Sequence, residues 1–115
     1  MEWSAWQTYD SDGVAKAPDE PGVYEVRITP DSWVYEEGQD PVVYIGAGST
    51  PVYTVRRMLA DHLEGRGNQL LKSLMKTHAM VYRHAFVSNP TQVLFDLLME
   101  FKKAHGGMPV CNRTR

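Results

Sequence analysis

Cysteine is almost absent from this 115-residue chain, where Cys111 stands alone. A single thiol excludes an internal disulfide and a cysteine-rich zinc site, and it fits a reducing compartment. Net charge is small as well, −2 with histidine neutral. Such a balance does not advertise a tight, non-specific grip on nucleic acid, though it leaves room for a local basic groove. No apolar run is long enough to span a bilayer, and no charged-then-apolar leader opens the chain. Internal repeats and low-complexity tracts are lacking too. The expectation is one soluble, intracellular (cytoplasmic) domain. With 43% hydrophobic residues, six Met and three Trp, the chain can build a real core.

Two tyrosine-bearing strand fragments organise the rest. Gly22 to Thr29 holds Tyr24, Val26 and Ile28 on one face, and Pro30 and Asp31 end it. Val42 to Gly46 is apolar on both faces, which reads as a covered, central strand. The polar link Tyr35 to Pro41 makes the pair an antiparallel hairpin with a long connection, which Trp33-Val34-Tyr35 would prolong. Residues 1–20 form an aromatic N-terminal arm. Trp3, Trp6 and Tyr9 fall three apart, a spacing for a short helical or 3₁₀ turn that either packs on the core or meets a partner.

Thr50 and Pro51 are cap and first-turn residues for a helix to about Glu64, with Val52, Val55, Leu59 and Leu63 as its stripe. Met58 and His62 border that stripe on one side and Arg56 on the other, while Arg57 points well away. After the Gly65–Asn68 turn, Gln69 to His78 reads as a second helix, with Leu70, Leu71, Leu74 and Met75 inward. Ala79 to Ser88 alternates as a third strand. Asn89-Pro90 opens a last helix that runs to about His105 and stops at Gly106-Gly107. Its main stripe is Val93, Leu94, Leu97, Leu98 and Phe101, with Glu100 on the stripe's edge. Phe95 and Met99 make a second apolar side, to be covered by the arm or by a second subunit. The fold class is α/β of the α+β kind: a small three-stranded antiparallel sheet flanked by helices. His78, His84, His105 and Cys111 have no zinc-like spacing and read as structural.

The ordered set Gly22-Val23-Tyr24, Tyr44-Ile45-Gly46, an Arg- and His-bearing helix, Glu100 on a late helix and Pro109-Val110-Cys111-Asn112 resembles the GIY-YIG nuclease family. The resemblance runs from about Pro21 to Asn112. It implies a domain over residues 21–115 that hydrolyses DNA phosphodiester bonds with one Mg²⁺ (or Mn²⁺). Carried over by motif, Glu100 would be the sole protein ligand of that ion. Tyr24 or Tyr44 would orient or deprotonate the attacking water, a helix arginine would bind phosphate oxygens, His62 would assist, and Asn112 would organise the site from the tail. The implied partner is DNA, in branched or damaged form, with a partner subunit or a homodimer through Phe95 and Met99.

The chain departs from the family pattern in the helix. The family arginine stands one turn before the histidine, and here that position is Met58. Arg57 is next door, and Arg56, Arg66 or Arg83 could substitute. A domain that keeps the fold and binds nucleic acid or protein without efficient cleavage is therefore the alternative expectation.

Overall fold

A computed structural model describes residues 1–29 and 41–113. β1 (Gln7–Thr8) and α1 (Ser11–Ala15) precede β2 (Gly22–Ile28) and β3 (Val42–Gly48). α2 (Val55–Leu63), α3 (Gln69–Met75), β4 (Met80–Ala85), α4 (Pro90–His105) and a 3₁₀ turn (Val110–Arg113) follow. The β2–β3 hairpin is antiparallel, with Tyr24 opposite Gly46 and Val26 opposite Tyr44. The expected extension through Trp33, Val34 and Tyr35 lies outside the described residues, as does Arg115.

β4 pairs antiparallel with the other side of β2, placing His84 opposite Tyr24. The central strand is therefore β2, and β3 is an edge strand, the reverse of what the two-sided apolarity of Val42–Gly46 suggests. β3 is covered all the same, because α2, α4 and the 3₁₀ turn all pack against it.

Among the described residues the sheet has four strands rather than three, in the order β1-β4-β2-β3. The fourth comes from the aromatic arm. Gln7 and Thr8 pair with Tyr82 and Val81 of β4, so the arm is extended where its three-residue spacing suggested a helical turn. An open sheet edge offers backbone partners that a single isolated turn cannot match. Tyr9 then enters the core, its hydroxyl donating to the Leu59 carbonyl at 2.7 Å. Trp6 lies against the Arg27 and Arg83 guanidiniums, and Trp3 against Arg83. Tyr9, Val14 and Ala17 of residues 1–20 thus belong to the same core cluster as Tyr24, Leu59 and Tyr82.

α2 begins later than its Thr50-Pro51 signal. Thr54 is the cap, accepting the Arg57 amide and donating to Asp19. The next amides, of Val55 and Arg56, donate to the carbonyls of Glu20 and Pro18. Tertiary contacts thereby satisfy the first-turn donors that a local cap would otherwise serve. Val52 falls outside the helix and is exposed. α4 keeps its expected bounds, from the Asn89 cap to a left-handed Gly106.

The main core lies on one face of the sheet, where Tyr24, Val26, Ile28 and Tyr82 meet Leu59, Leu71 and Cys111. α4 packs on β3 and β2 yet contributes nothing to that cluster. It covers the opposite face, where the register places Val23, Ile45 and Ala85. Phe95 on α4 remains 57% exposed, and Met99 is half-buried. No helix among the described residues is long and apolar enough to cross a membrane.

Candidate active site: a tyrosine pair wired to His62

Tyr24, on the central strand, is completely buried. Tyr44, on the edge strand, is half-buried. The rings lie 6.1 Å apart, centroid to centroid, and Gly46 lets them approach. A Cβ at Gly46 would stand 2.5 Å from Tyr24 Cζ and 2.8 Å from Tyr44 Cε2, distances no side chain tolerates. His62 closes the group from α2. Its ring meets that of Tyr44 edge-on at 5.0 Å, and its Nε2 is 2.8 Å from Tyr24 Oη.

The other face of the imidazole decides where its proton sits. The Asn68 backbone N–H donates to His62 Nδ1 at 2.8 Å. A backbone amide can only donate, so Nδ1 must carry a lone pair. The proton of the neutral ring is then on Nε2, and Nε2–H donates to Tyr24 Oη. Burial also holds His62 neutral, lowering its pKa from 6.5 to about 4, with Asp61 opposing the shift. Tyr24, receiving a hydrogen bond from His62, keeps its own O–H for an acceptor other than that ring, and the neighbouring hydroxyl-bearing ring is Tyr44. Burial raises both phenols well clear of neutrality. The two hydroxyls also act on each other, raising Tyr24 further and offsetting part of the rise at Tyr44. The bonds run one way, from the Asn68 amide to His62 and from His62 to Tyr24, and the half-buried Tyr44 ring lies against both aromatic groups.

Asn112 reaches β3 from the 3₁₀ turn. Its carboxamide accepts from the Ile45 N–H and donates to the Ile45 carbonyl, both at 2.9 Å. One side chain thus imitates a neighbouring strand on the open edge of β3, between Tyr44 and Gly46. Asn68 ties the same tail inward. Its Nδ2 donates to the Cys111 carbonyl at 2.7 Å, while its Oδ1 caps α3 by accepting the Leu71 amide.

The arginines divide by location. Arg83 pairs with Glu25, whose register puts both on the α4 side of the sheet. Arg56 is held by the Ala17 carbonyl, with Asp19 beside it. Arg57 and Arg66 both reach Asp61, at 3.4 and 3.3 Å, on the residue adjoining His62. Asp61 is only 15% exposed, while its two arginines are 49% and 64% exposed. Arg66 also contacts Glu64. Of the four arginines considered, Arg57 and Arg66 are therefore the two anchored next to the tyrosine–histidine cluster.

Glu100 does not sit at the margin of a buried stripe as its angular position suggested. It is exposed on α4, and among the described residues it makes no hydrogen bond or ion pair. Its helix packs on β3, the strand that carries Tyr44. No group of three or more His, Cys, Asp or Glu side chains able to hold a metal occurs among the described residues. Glu100 is a single exposed carboxylate, a donor that a hard, largely hydrated cation can take.

Of the residues singled out in the sequence, Tyr24, Tyr44 and His62 are in direct contact, with Asn112 on the adjoining backbone. Arg57 stands one ion pair away, and Glu100 stands apart. Sequence reasoning missed Asn68, Asp61 and Gly67. Asn68 had a legible signal, an asparagine closing a glycine-rich turn just before a helix. The bond from its amide to a histidine six residues earlier had none. Comparison of the chain with family models, curated proteins and solved structures gives no match.

Proposed function

We propose that this chain is a GIY-YIG-type, divalent-metal-dependent endonuclease domain that hydrolyses DNA phosphodiester bonds. The observation that carries the proposal is the directed pair of bonds from Asn68 through His62 to Tyr24, with the Tyr44 ring packed beside it. Chance burial of two strand tyrosines does not require a histidine with one fixed tautomer between them and a backbone donor. In this reading Tyr44 first loses its proton to solvent, a step that burial opposes and a bound cation would favour, and the phenolate then takes a proton from the attacking water. The water O–H bond breaks, a Tyr44 Oη–H bond forms, and the water oxygen bonds to phosphorus. The phosphorus–oxygen bond to the leaving sugar oxygen breaks, and that oxygen takes a proton from solvent. Tyr24 stabilises the Tyr44 phenolate by donating to it, and His62 holds Tyr24 in the donating orientation. Arg57, with Arg66 as its neighbour on Asp61, would exchange that carboxylate for a phosphate oxygen. Glu100 would hold the Mg²⁺ or Mn²⁺, which when bound supplies charge stabilisation on phosphorus and the leaving oxygen.

A second reading has two specific observations behind it. Both arginines share Asp61, and Glu100 has no bond to the cluster, an arrangement that also suits a non-cleaving nucleic-acid or protein binder. One experiment separates the two: Mg²⁺-dependent nicking of supercoiled plasmid and of branched DNA by wild type, Tyr44→Phe and Glu100→Ala. The nuclease reading expects cleavage by wild type and a loss of roughly 10²-fold or more in each variant. If wild type cuts no substrate, the nuclease reading falls. Binding that weakens steeply with salt would then indicate phosphate contacts, and salt-insensitive binding a protein partner.

A further inference from the structure

The residues that precede α3 were not part of any motif, yet they touch the most consequential atom of the cluster. Gly67 and Asn68 wrap the Nδ1 edge of His62. The Asn68 amide donates to it at 2.8 Å, and the site of a Cβ on Gly67 lies 2.9 Å from His62 Cε1 and 3.0 Å from Cγ, and closer still to Nδ1. Only a glycine lets the backbone come that near. The turn itself is held from three sides. The Gly67 amide donates to the Asp61 carbonyl, the Asn68 side chain caps α3, and the same side chain reaches the Cys111 carbonyl. His62 and Asn68 are both buried, so water does not compete for Nδ1.

We infer that Asn68, with Gly67 before it, is the positioning residue that sets the direction of the tyrosine chain: its backbone N–H fixes His62 with the proton on Nε2, which leaves Tyr24 to donate and Tyr44 as the hydroxyl free to act. This rests on the nuclease reading for its chemical consequence. The hydrogen-bond direction stands independently of it. His62 cannot accept the Tyr24 proton, because Nε2 already bears one and protonating Nδ1 would break the Asn68 bond. The side chain of Asn68 is not what sets the tautomer. Asn68→Ala keeps the amide, and Asn68→Pro removes it at a position whose φ of −70° suits proline.

The test is ring-nitrogen NMR of the full chain with ¹⁵N-labelled histidine, read at neutral pH beside nicking rates. Wild type and Asn68→Ala should show His62 with an unprotonated Nδ1 and a protonated Nε2. Asn68→Pro should show a mixture of tautomers, and its nicking rate should fall at least about tenfold below that of Asn68→Ala. Gly67→Ala, which drives a methyl into the ring, should give the same two changes and serves if Asn68→Pro does not fold. A His62 protonated on Nδ1 in wild type overturns the inference, as does an unchanged tautomer in both Asn68→Pro and Gly67→Ala. If wild type cuts no DNA, the nuclease reading fails while the tautomers still decide the positioning role.

Discussion

Replacing Gly46 by alanine adds one methyl group at the most crowded point of the cluster. The new carbon would lie 2.5 Å from Tyr24 Cζ and 2.8 Å from Tyr44 Cε2. Neither ring can yield freely. Tyr24 is wholly buried on the central strand and bonded to His62, and Tyr44 is flanked by that same imidazole. Overpacking of this kind costs about 1–3 kcal/mol, and losing the Tyr24–His62 hydrogen bond adds about 1, for a total of roughly 2–4 kcal/mol. For a domain of this size each kcal/mol lowers Tm by roughly 4 °C, so a drop of about 8–16 °C is expected. Thermal and urea unfolding followed by circular dichroism measures it. Gly65→Ala is the control: its φ of +84° carries backbone strain, but nothing lies within 4 Å of the added carbon. Its cost should stay near 1–2 kcal/mol. If Gly46→Ala melts within about 2 °C of wild type, the rings are not held as tightly as the hydrogen-bond chain requires, and the argument for a fixed direction at Tyr44 collapses with it.

Other outcomes follow from the same geometry. Asn112→Ala removes both bonds to Ile45 and should cost about 1–3 kcal/mol, with faster hydrogen exchange at the Ile45 amide as the local sign. His62 binds a proton at about pH 4 when folded and at 6.5 when unfolded. Its contribution to stability is therefore complete above pH 6.5, is lost as pH falls toward 4, and amounts to on the order of 3 kcal/mol. Burial lowers His84 as well, in the same sense. The measurement is therefore the difference between wild type and His62→Gln in urea unfolding at pH 7 and pH 5, and equal pH slopes would refute it. Glu100→Ala should change stability by no more than about 0.5 kcal/mol, as for an exposed side chain free of structural bonds, whatever it does to cleavage. A larger loss would mean that Glu100 is a structural residue.

Strand and helix identities were legible in local pattern. The alternation in Gly22–Ile28, the Asn89-Pro90 start and the Gly106 stop of α4 all act within a few residues, and the structure keeps them. What was not legible depends on partners distant in the chain. Sequence made β3 central because both of its faces are apolar, but apolar faces report cover by helices and say nothing about which neighbour takes the backbone. The arm became a strand because β4 left an edge free. α2 starts at Val55 because Thr54 caps it and the Glu20 and Pro18 carbonyls take the Val55 and Arg56 amides, while Thr50 accepts the Tyr53 amide ahead of the helix. Glu100 lay near the stripe in angle, yet angle on one helix does not say how deeply that helix beds on the sheet. The tautomer of His62 shows the division most clearly. Sequence supplied an imidazole at the right place on α2. Its proton was assigned only when folding brought the Asn68 amide to one nitrogen and Tyr24 to the other, because a hydrogen bond has a direction and a residue list has none.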